Sequence, residues 1–369
     1  MTRYLILTLA CFTAVAFGDD VGGTQVPEIP FESVPNFLKL PPNLYLGEAS
    51  GVAVNSKKHV FVFSRGNTTG PAYGATAAQI LEFGPDGRYI REIGHNLYAW
   101  SFAHAIRFDK DDNLWAVDKG SDMVIKFDPE GRVTMVFGRK KEASDEGAEP
   151  WKRLPPGSKP RPAIDGQFRQ PTDVTWDPQG DIFISDGYVN SRVAKFDKNG
   201  DWVKQWGTFG SEPGQFNTPH SIASDAKGNI YVADRGNRRI QVFDSDGTFL
   251  RQITINVPVP PVVHMWMGAA STAVPAGSAP LNGTMQSGSP WAICITPGPT
   301  QYIYSADAYP GRIYKLTLDG KVVGVFGSMG HQLKQFGWIH EMACPAENEI
   351  YTAEILNWRV QKLILHPAK

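Results

Sequence analysis

The sequence predicts an all-β protein, a six-bladed β-propeller, on two observations. Six segments share one pattern of short apolar strands and turns, and together they fill the 369-residue chain from residue 46 onward. Each segment holds four strand signals, and four strands in roughly 40–60 residues are typical of one propeller blade. Neighbouring blades bury a common core, so residues 46–369 are expected to form one domain.

The third segment shows the pattern. Runs of β-branched and aromatic residues lie at 174–176, 181–184, 192–196 and 202–206. Between them stand the turn sequences Asp177–Gly180, Asp186–Gly187 and Asp197–Gly200. Apolar runs bounded by such turns indicate strands joined by tight connections.

Composition narrows the class of protein. A hydrophobic content of 42% supports a large core, and a net charge of −1 without a basic patch argues against a nucleic-acid partner. We expect a monomer that acts on a small-molecule or peptide substrate.

The first 18 residues resemble a secretory signal. Arg3 precedes an apolar stretch over residues 4–16, and small residues at 16 and 18 offer a cleavage site. The stretch is too short to span a bilayer, and no other membrane span is apparent. Acylation at Cys11 is the less favoured alternative, because the apolar run continues past it. We therefore expect a secreted or periplasmic protein, with an N-terminal segment at 19–45 before the propeller.

Two insertions interrupt the repeats, at 139–166 and 257–289. The second contains Met265, Trp266 and Met267, which favours it as a pocket lid. After signal removal two cysteines remain, Cys294 and Cys344. They lie in the first strands of neighbouring repeats, but disulfide geometry is strict, so we expect free thiols, with a disulfide as the alternative.

The most informative feature is an alternation of histidines. The first positions of the six repeats are Ser50, His104, Thr172, His220, Trp291 and His340. A Ser, Asp or Glu follows 14 residues later in five repeats, and Asp307 follows after 16 in the fifth. A constant offset indicates structural equivalence. The repeat residues Asp118, Asp186 and Asp234 are expected to be structural, as acceptors of backbone hydrogen bonds at turns.

In a closed ring the three histidines are related by a pseudo-threefold axis. A lone strand histidine is usually a hydrogen-bonded structural residue, but His104, His220 and His340 fill alternate copies of one position. Three imidazoles that converge on an axis predict a metal site, and three neutral nitrogens with a fourth position open suit catalytic zinc.

A second position follows the repeat acid and holds Arg65, Lys119, Gly187, Arg235, Ala308 and Ile355. An arginine there can bind a carboxylate through two hydrogen bonds. For Arg65 or Arg235 taken alone, an ion pair between blades with a repeat Asp is the simpler interpretation. For Tyr188, one place later in the third repeat, the simpler interpretation is packing at a turn.

Several segments together resemble one enzyme family. They are "SGVAV" from Ser50, "HAIRFDKDDNLWAVD" from His104, "SDGYVNSR" from Ser185, "FNTPHS" from Phe216 and "IHEM" from Ile339. The chain resembles peptidyl-α-hydroxyglycine α-amidating lyase, a six-bladed propeller of NHL-type repeats, over about residues 45–362. This resemblance implies a C–N lyase that releases a peptide amide and glyoxylate.

The resemblance also implies roles for individual residues. His104, His220 and His340 match the zinc ligands, Tyr188 matches the catalytic base, and Arg65 and Arg235 match the active-site arginines. A structural calcium is implied as well, held by the backbone carbonyls of two residues and by one acidic side chain. The matching positions are Val52, Ile106 and Glu341.

This chain departs from the family pattern in ways that affect the pocket. Trp338 replaces a methionine two residues before the third histidine, which narrows the space beside the metal. The sequence has no counterpart of the copper monooxygenase domain, so we expect the hydroxylated substrate to come from another protein.

Two other functions stay open at this stage. A metal-dependent hydrolase or lactonase on the same scaffold would also use a metal-activated water. A non-catalytic NHL binding scaffold would make the histidines dispensable.

Overall fold

The computed structural model describes residues 26–66, 78–140, 162–266, 271–275 and 283–367. The signal sequence at 1–18 and most of the first insertion lie outside these residues. Among them, no helix has the length and apolar character needed to cross a bilayer.

The strands follow the chain order. The N-terminal strand and the first blade are β1 (Phe31–Ser33), β2 (Ala49–Val54), β3 (Val60–Ser64), β4 (Gln79–Phe83) and β5 (Tyr89–Ile93). The second and third blades are β6 (Ala103–Phe108), β7 (Leu114–Asp118), β8 (Met123–Phe127), β9 (Val133–Phe137), β10 (Asp173–Trp176), β11 (Ile182–Asp186), β12 (Arg192–Phe196) and β13 (Trp202–Trp206).

The remaining strands complete the ring. The fourth blade and the hairpin after it are β14 (Pro219–Ser224), β15 (Ile230–Asp234), β16 (Arg239–Phe243), β17 (Phe249–Ile253), β18 (Val262–Trp266) and β19 (Ser271–Pro275). The fifth blade and the strand pair after it are β20 (Ala292–Ile295), β21 (Tyr302–Ala306), β22 (Ile313–Thr317), β23 (Val322–Phe326), β24 (Ser328–Met329) and β25 (Gln335–Phe336). The sixth blade contains β26 (Ile339–Ala346), β27 (Glu349–Glu354) and β28 (Arg359–Leu365).

Six four-stranded antiparallel sheets confirm the predicted all-β, six-bladed propeller. The inner strands β2, β6, β10, β14, β20 and β26 contact one another in that order, and β26 contacts β2 again. Six apolar clusters lie between successive blades, so each blade buries both faces against its neighbours. The core is therefore a ring of interfaces around a central channel.

The N-terminal strand closes this ring. β1 pairs with β28 and becomes the outer strand of the sixth blade, so the N- and C-terminal ends of the domain share one sheet. The predicted start of the propeller at residue 46 is therefore too late, because residues 31–33 already belong to a blade. Sequence reasoning missed this strand because three residues carry too little periodicity to stand out.

The two remaining cysteines are paired. Cys294 on β20 and Cys344 on β26 form a disulfide, with their Cα atoms 6.1 Å apart. The expectation of two free thiols is wrong, because adjacent inner strands bring the two side chains together. The alternative, a disulfide, is confirmed.

The second insertion contains structure of its own. β18 and β19 form an antiparallel hairpin within 257–289, and a 3-10 turn spans Gly283–Met285. The hairpin contacts β24, in the segment that leads into β26. This insertion therefore lies at the end of the channel where the inner strands begin.

Ring closure through β1 makes a stability prediction. Phe31 packs against Phe326 with ring centroids 5.0 Å apart and the rings tilted, whereas Glu32 next to it is exposed. We expect Phe31→Ala to lower the free energy of unfolding by about 2 kcal/mol, and Glu32→Ala by less than about 0.5 kcal/mol. Urea denaturation of both variants measures the difference, and equal midpoints would contradict a closing role for β1.

Candidate metal centre and active site

The three alternating histidines meet on the axis. Ring centroids are 4.8 Å apart for His104 and His220, 4.5 Å for His104 and His340, and 4.9 Å for His220 and His340. One nitrogen from each lies within 4.8 Å of the others, and all three residues are buried. The convergence predicted from the repeat spacing is thus present in the structure.

A β-bulge directs each histidine inward. The strand register shifts between Ala103 and Ala105, between Pro219 and Ser221, and between Ile339 and Glu341. Each shift leaves the histidine between these residues outside the ladder. Bulges commonly re-aim side chains next to functional sites.

The carbonyl group of the next blade then fixes each ring. His104 Nδ1 donates a hydrogen bond to Thr172 O at 2.6 Å. In the same way, His220 Nδ1 donates to Trp291 O at 2.7 Å, and His340 Nδ1 donates to Ser50 O at 2.8 Å. These acceptors are the first residues of the third, fifth and first repeats. Nδ1 is thereby protonated, and Nε2 is left as a ligand. The odd repeats thus supply carbonyl groups where the even repeats supply imidazoles.

Electrostatics keep the imidazoles neutral. Burial is the main cause that lowers the pKa of all three histidines well below the usual value. The other imidazoles lower the pKa of His104 further, Arg235 lowers that of His220, and Arg65 lowers that of His340. Neutral imidazole is the form that coordinates a metal, so this donor set fits zinc.

The hydroxyl of Tyr188 lies against two of the ligands. It is 3.2 Å from His104 Nε2 and 3.1 Å from His220 Nε2. Gly187 makes this approach possible, because a Cβ at that position would lie 1.8 Å from the carbonyl oxygen of Pro219. The Tyr188 hydroxyl therefore lies beside the three convergent histidines.

Arg235 borders the same space with part of its guanidinium unsatisfied. It lies 3.8 Å from the Trp291 ring centroid and 5.5 Å from that of Tyr188. Its Nε and Nη1 atoms are buried and have no hydrogen-bond partner among the described residues. Burial lowers the pKa of Arg235, and Tyr188 opposes the shift. A buried guanidinium with free donors is suited to an anionic ligand.

Arg65 is held more tightly than expected. Its Nη1 pairs with Glu48 Oε2 at 2.7 Å, and its Nε donates to Ala103 O at 3.0 Å. The guanidinium also lies 3.8 Å from the Phe102 ring centroid. The simpler interpretation, an ion pair between blades with a repeat Asp, is wrong in its partner: Arg65 does form an ion pair, but with Glu48 of the same blade.

Lys119 is a site residue that sequence reasoning did not select. Its Nζ lies 3.9 Å from the Tyr188 ring centroid, and no carboxylate in the described part of the chain pairs with it. Burial lowers the pKa of Lys119, and Tyr188 opposes this. The available signal was its place in the same repeat position as Arg65 and Arg235.

Two tryptophans pack together beside His220 and Arg235. Trp338 packs edge-on against Trp291, with ring centroids 4.7 Å apart. Trp338 Nε1 is buried and has no hydrogen-bond partner within the described ranges. The 3-10 turn of the second insertion contacts the 3-10 turn Arg235–Asn237, and Trp291 Nε1 donates to Thr284 O at 2.7 Å. The end of this insertion therefore packs against Trp291. Met267 lies outside the described residues, and the interpretation of the insertion as a pocket lid stays a prediction.

The repeat carboxylates are structural, as predicted. Asp118 accepts hydrogen bonds from the backbone amides of Ser101, Phe102 and Ser121. Asp186 and Asp234 each accept a backbone amide and an arginine side chain. None of these three is left to bind substrate.

The residues implied for calcium are arranged differently. Glu341 Oε2 accepts hydrogen bonds from the amides of Val52 at 2.9 Å and Ile106 at 3.1 Å. Its Oε1 lies 3.2 Å from Nε of Arg107. The carboxylate is thus already engaged with backbone N–H groups and with a cation. This arrangement does not fit a calcium ion held by Val52, Ile106 and Glu341.

Comparison with known proteins extends this picture. The NHL repeat model matches residues 216–243, within the fourth blade. Peptidylglycine alpha-amidating monooxygenase of Rattus norvegicus is 34% identical over 58% of this chain, a match that covers 22% of that protein. Peptidyl-alpha-hydroxyglycine alpha-amidating lyase 1 of Drosophila melanogaster is 26% identical, and the match covers 94% of this chain and 65% of that protein. The chain thus spans only a fraction of the length of these curated relatives.

A solved structure shows the same architecture. A streptogramin B lyase superposes with a TM-score of 0.51 at 13% identity, covering 92% of this chain and 98% of that one. At this identity the likeness concerns the fold alone. The sequence relatives, the NHL repeat and the six-bladed ring together confirm the resemblance, and the chain is a homologue of the peptidyl-α-hydroxyglycine α-amidating lyases.

Proposed function

We propose that this protein is a secreted or periplasmic zinc-dependent lyase that cleaves the C–N bond of peptidyl-α-hydroxyglycine. The products are a peptide amide and glyoxylate. The observation that carries the proposal is the Tyr188 hydroxyl, 3.1–3.2 Å from the Nε2 atoms of two of three convergent histidines. Relatives named as amidating lyases support the same activity.

The site residues account for each part of the reaction. Zinc held by the three Nε2 atoms would lower the pKa of a substrate hydroxyl bound to it. Tyr188 takes the proton of that hydroxyl, the O–H electrons form the carbonyl of glyoxylate, and the C–N bond breaks. Tyr188 then returns the proton to the amide nitrogen, so no further reactant is required.

Three cations suit the charge of this substrate. Arg235 has buried Nε and Nη1 donors without a hydrogen-bond partner among the described residues and is the better candidate to bind the substrate carboxylate. Lys119 adds positive charge against the ring of Tyr188, whereas the charge of Arg65 is paired with Glu48. Trp338 and Trp291 pack edge-on beside the proposed metal position. We propose that these two rings restrict the size of the residue that precedes the hydroxyglycine.

The compartment and assembly belong to the same proposal. The disulfide Cys294–Cys344 supports an oxidising compartment, as the signal-like residues 1–18 do. All the site residues come from one chain, so a monomer suffices.

The first prediction concerns the base. We expect Tyr188→Phe to lower kcat for an α-hydroxyglycine peptide by about 10²–10⁴-fold, because proton transfer is lost while the metal ligands stay in place. Glyoxylate release and zinc content measure the two properties separately. The exposed Tyr45 provides a matched control, and Tyr45→Phe should leave both unchanged.

The same assay separates the alternatives. Zinc without glyoxylate release would point to a hydrolase or lactonase, to be tested with ester and lactone substrates. Absence of stoichiometric zinc would leave a binding scaffold. Full activity in Tyr188→Phe would remove Tyr188 from the mechanism.

A second prediction separates the two arginines. We expect Arg235→Met to raise KM and lower kcat/KM by about 10–100-fold, because a charged hydrogen-bond donor to the substrate is lost. Arg65→Met should mainly lower the unfolding temperature, because it leaves the partly buried Glu48 carboxylate without its partner. Steady-state kinetics and thermal unfolding of both variants measure the contrast. The reverse pattern would exchange their roles.

A third prediction concerns pH. The folded-state pKa of each histidine is depressed, whereas the unfolded value is about 6.5. Below that pH the unfolded state binds more protons than the folded state does. The free energy of unfolding of the metal-free protein should therefore fall by up to about 1.4 kcal/mol for each histidine and each pH unit. Urea denaturation between about pH 7.5 and 5 should show a smaller loss for His220→Gln. His95→Gln, at an exposed site, should follow the wild type, and identical slopes for all three would contradict the prediction.

A further inference from the structure

A guanidinium occupies the channel axis next to the histidine site. Arg107 follows His104 by three residues on β6, and its side chain is largely buried. Its Nε donates to Asp173 Oδ1 at 3.0 Å and its Nη2 to Asp173 Oδ2 at 2.7 Å. This two-pronged pairing fixes the plane of the guanidinium and is among the stronger charged interactions in proteins.

The other donors of Arg107 reach across the ring. Nη1 donates to Met342 O at 2.9 Å, and Nη2 lies 3.3 Å from Ile293 O and 3.4 Å from Ser221 Oγ. With Asp173, these partners come from the third, fourth, fifth and sixth blades. Burial alone would lower the pKa of Arg107, but Asp173 and Glu341 raise it above the usual value, so the charge persists.

Glu341 links this cation to the remaining blade. Its Oε1 faces Arg107 Nε at 3.2 Å, and its Oε2 accepts the amides of Val52 and Ile106. Gly51 leaves room for the carboxylate, because a Cβ there would lie 2.7 Å from Oε2. One connected network therefore touches all six inner strands.

Two carboxylates and several carbonyl oxygens around an axis are the ligand set that a calcium ion prefers. In this chain the positive charge between the two carboxylates is the guanidinium of Arg107, a side chain of the protein itself. We propose that Arg107 is the axial cation of the propeller, replacing a structural divalent ion at Val52, Ile106 and Glu341. A second cation there would be repelled by Arg107 and would have to displace its hydrogen bonds. The proposal is independent of the lyase activity.

The wild-type protein provides the first test. Protein stripped of metals with EDTA and dialysed is heated in matched series of CaCl₂ or MgCl₂ at constant ionic strength. We expect the two series to give unfolding temperatures within about 1 °C of each other, because ligand-linked stabilisation requires a specific site. A rise specific to calcium would overturn the proposal.

A variant then tests whether the charge of Arg107 fills the place of an ion. Arg107→Ala should unfold several degrees below the wild type in MgCl₂ and recover in CaCl₂. Arg107→Ala combined with Asp173→Asn and Glu341→Gln is the matched control, and its unfolding should not respond to calcium. A folded Arg107→Ala protein without a calcium response would overturn the replacement. If this variant does not fold in either salt, the wild-type series decides.

Discussion

The structure depends on a hydrogen bond that crosses from one blade to the next. Each site histidine donates through Nδ1 to the carbonyl group of the first repeat position of the following blade. The same bond ties neighbouring blades together, selects the tautomer and points Nε2 at the axis. The hydrogen bonds that hold neighbouring blades together therefore also fix the positions of the three histidines. A change in the angle between blades would displace the three histidines.

Charge is separated along the channel. At the end where the inner strands begin, Lys119 and Arg235 lie against the ring of Tyr188, whereas Arg65 is paired with Glu48, and the nearby repeat carboxylates are committed to backbone amides and arginines. Further along the axis, Asp173 and Glu341 face Arg107. The first region therefore has two cations that no carboxylate of the described residues neutralises, whereas the second is internally neutralised and holds the blades together. We propose that one scaffold uses buried cations for recognition in one layer and for cohesion in the other.

Sequence patterns predicted the repeating parts of this molecule best. The six blades and the histidine convergence follow from positions that recur at a constant offset, so an error in one repeat is corrected by the others. Tyr188 occurs once, and only the family resemblance singled it out. The Arg65–Glu48 pair, the disulfide and the role of Lys119 depend on contacts between segments that carry no shared pattern. Three-residue β1 has too few residues for periodicity, and its partner lies more than 300 residues away.

The alternation of the first repeat position explains how such a site can change its substrate. At the even blades this position is histidine, and its side chain is the metal ligand that we propose. At the odd blades only the backbone carbonyl is required, so Ser50, Thr172 and Trp291 can all serve. Trp291 both anchors a histidine and shapes the pocket. Its carbonyl group accepts the hydrogen bond from His220, while its ring lies against Arg235 and Trp338. Pocket shape can therefore vary at the odd blades without displacing the three histidines, and we propose that Trp291 and its neighbours select the substrate.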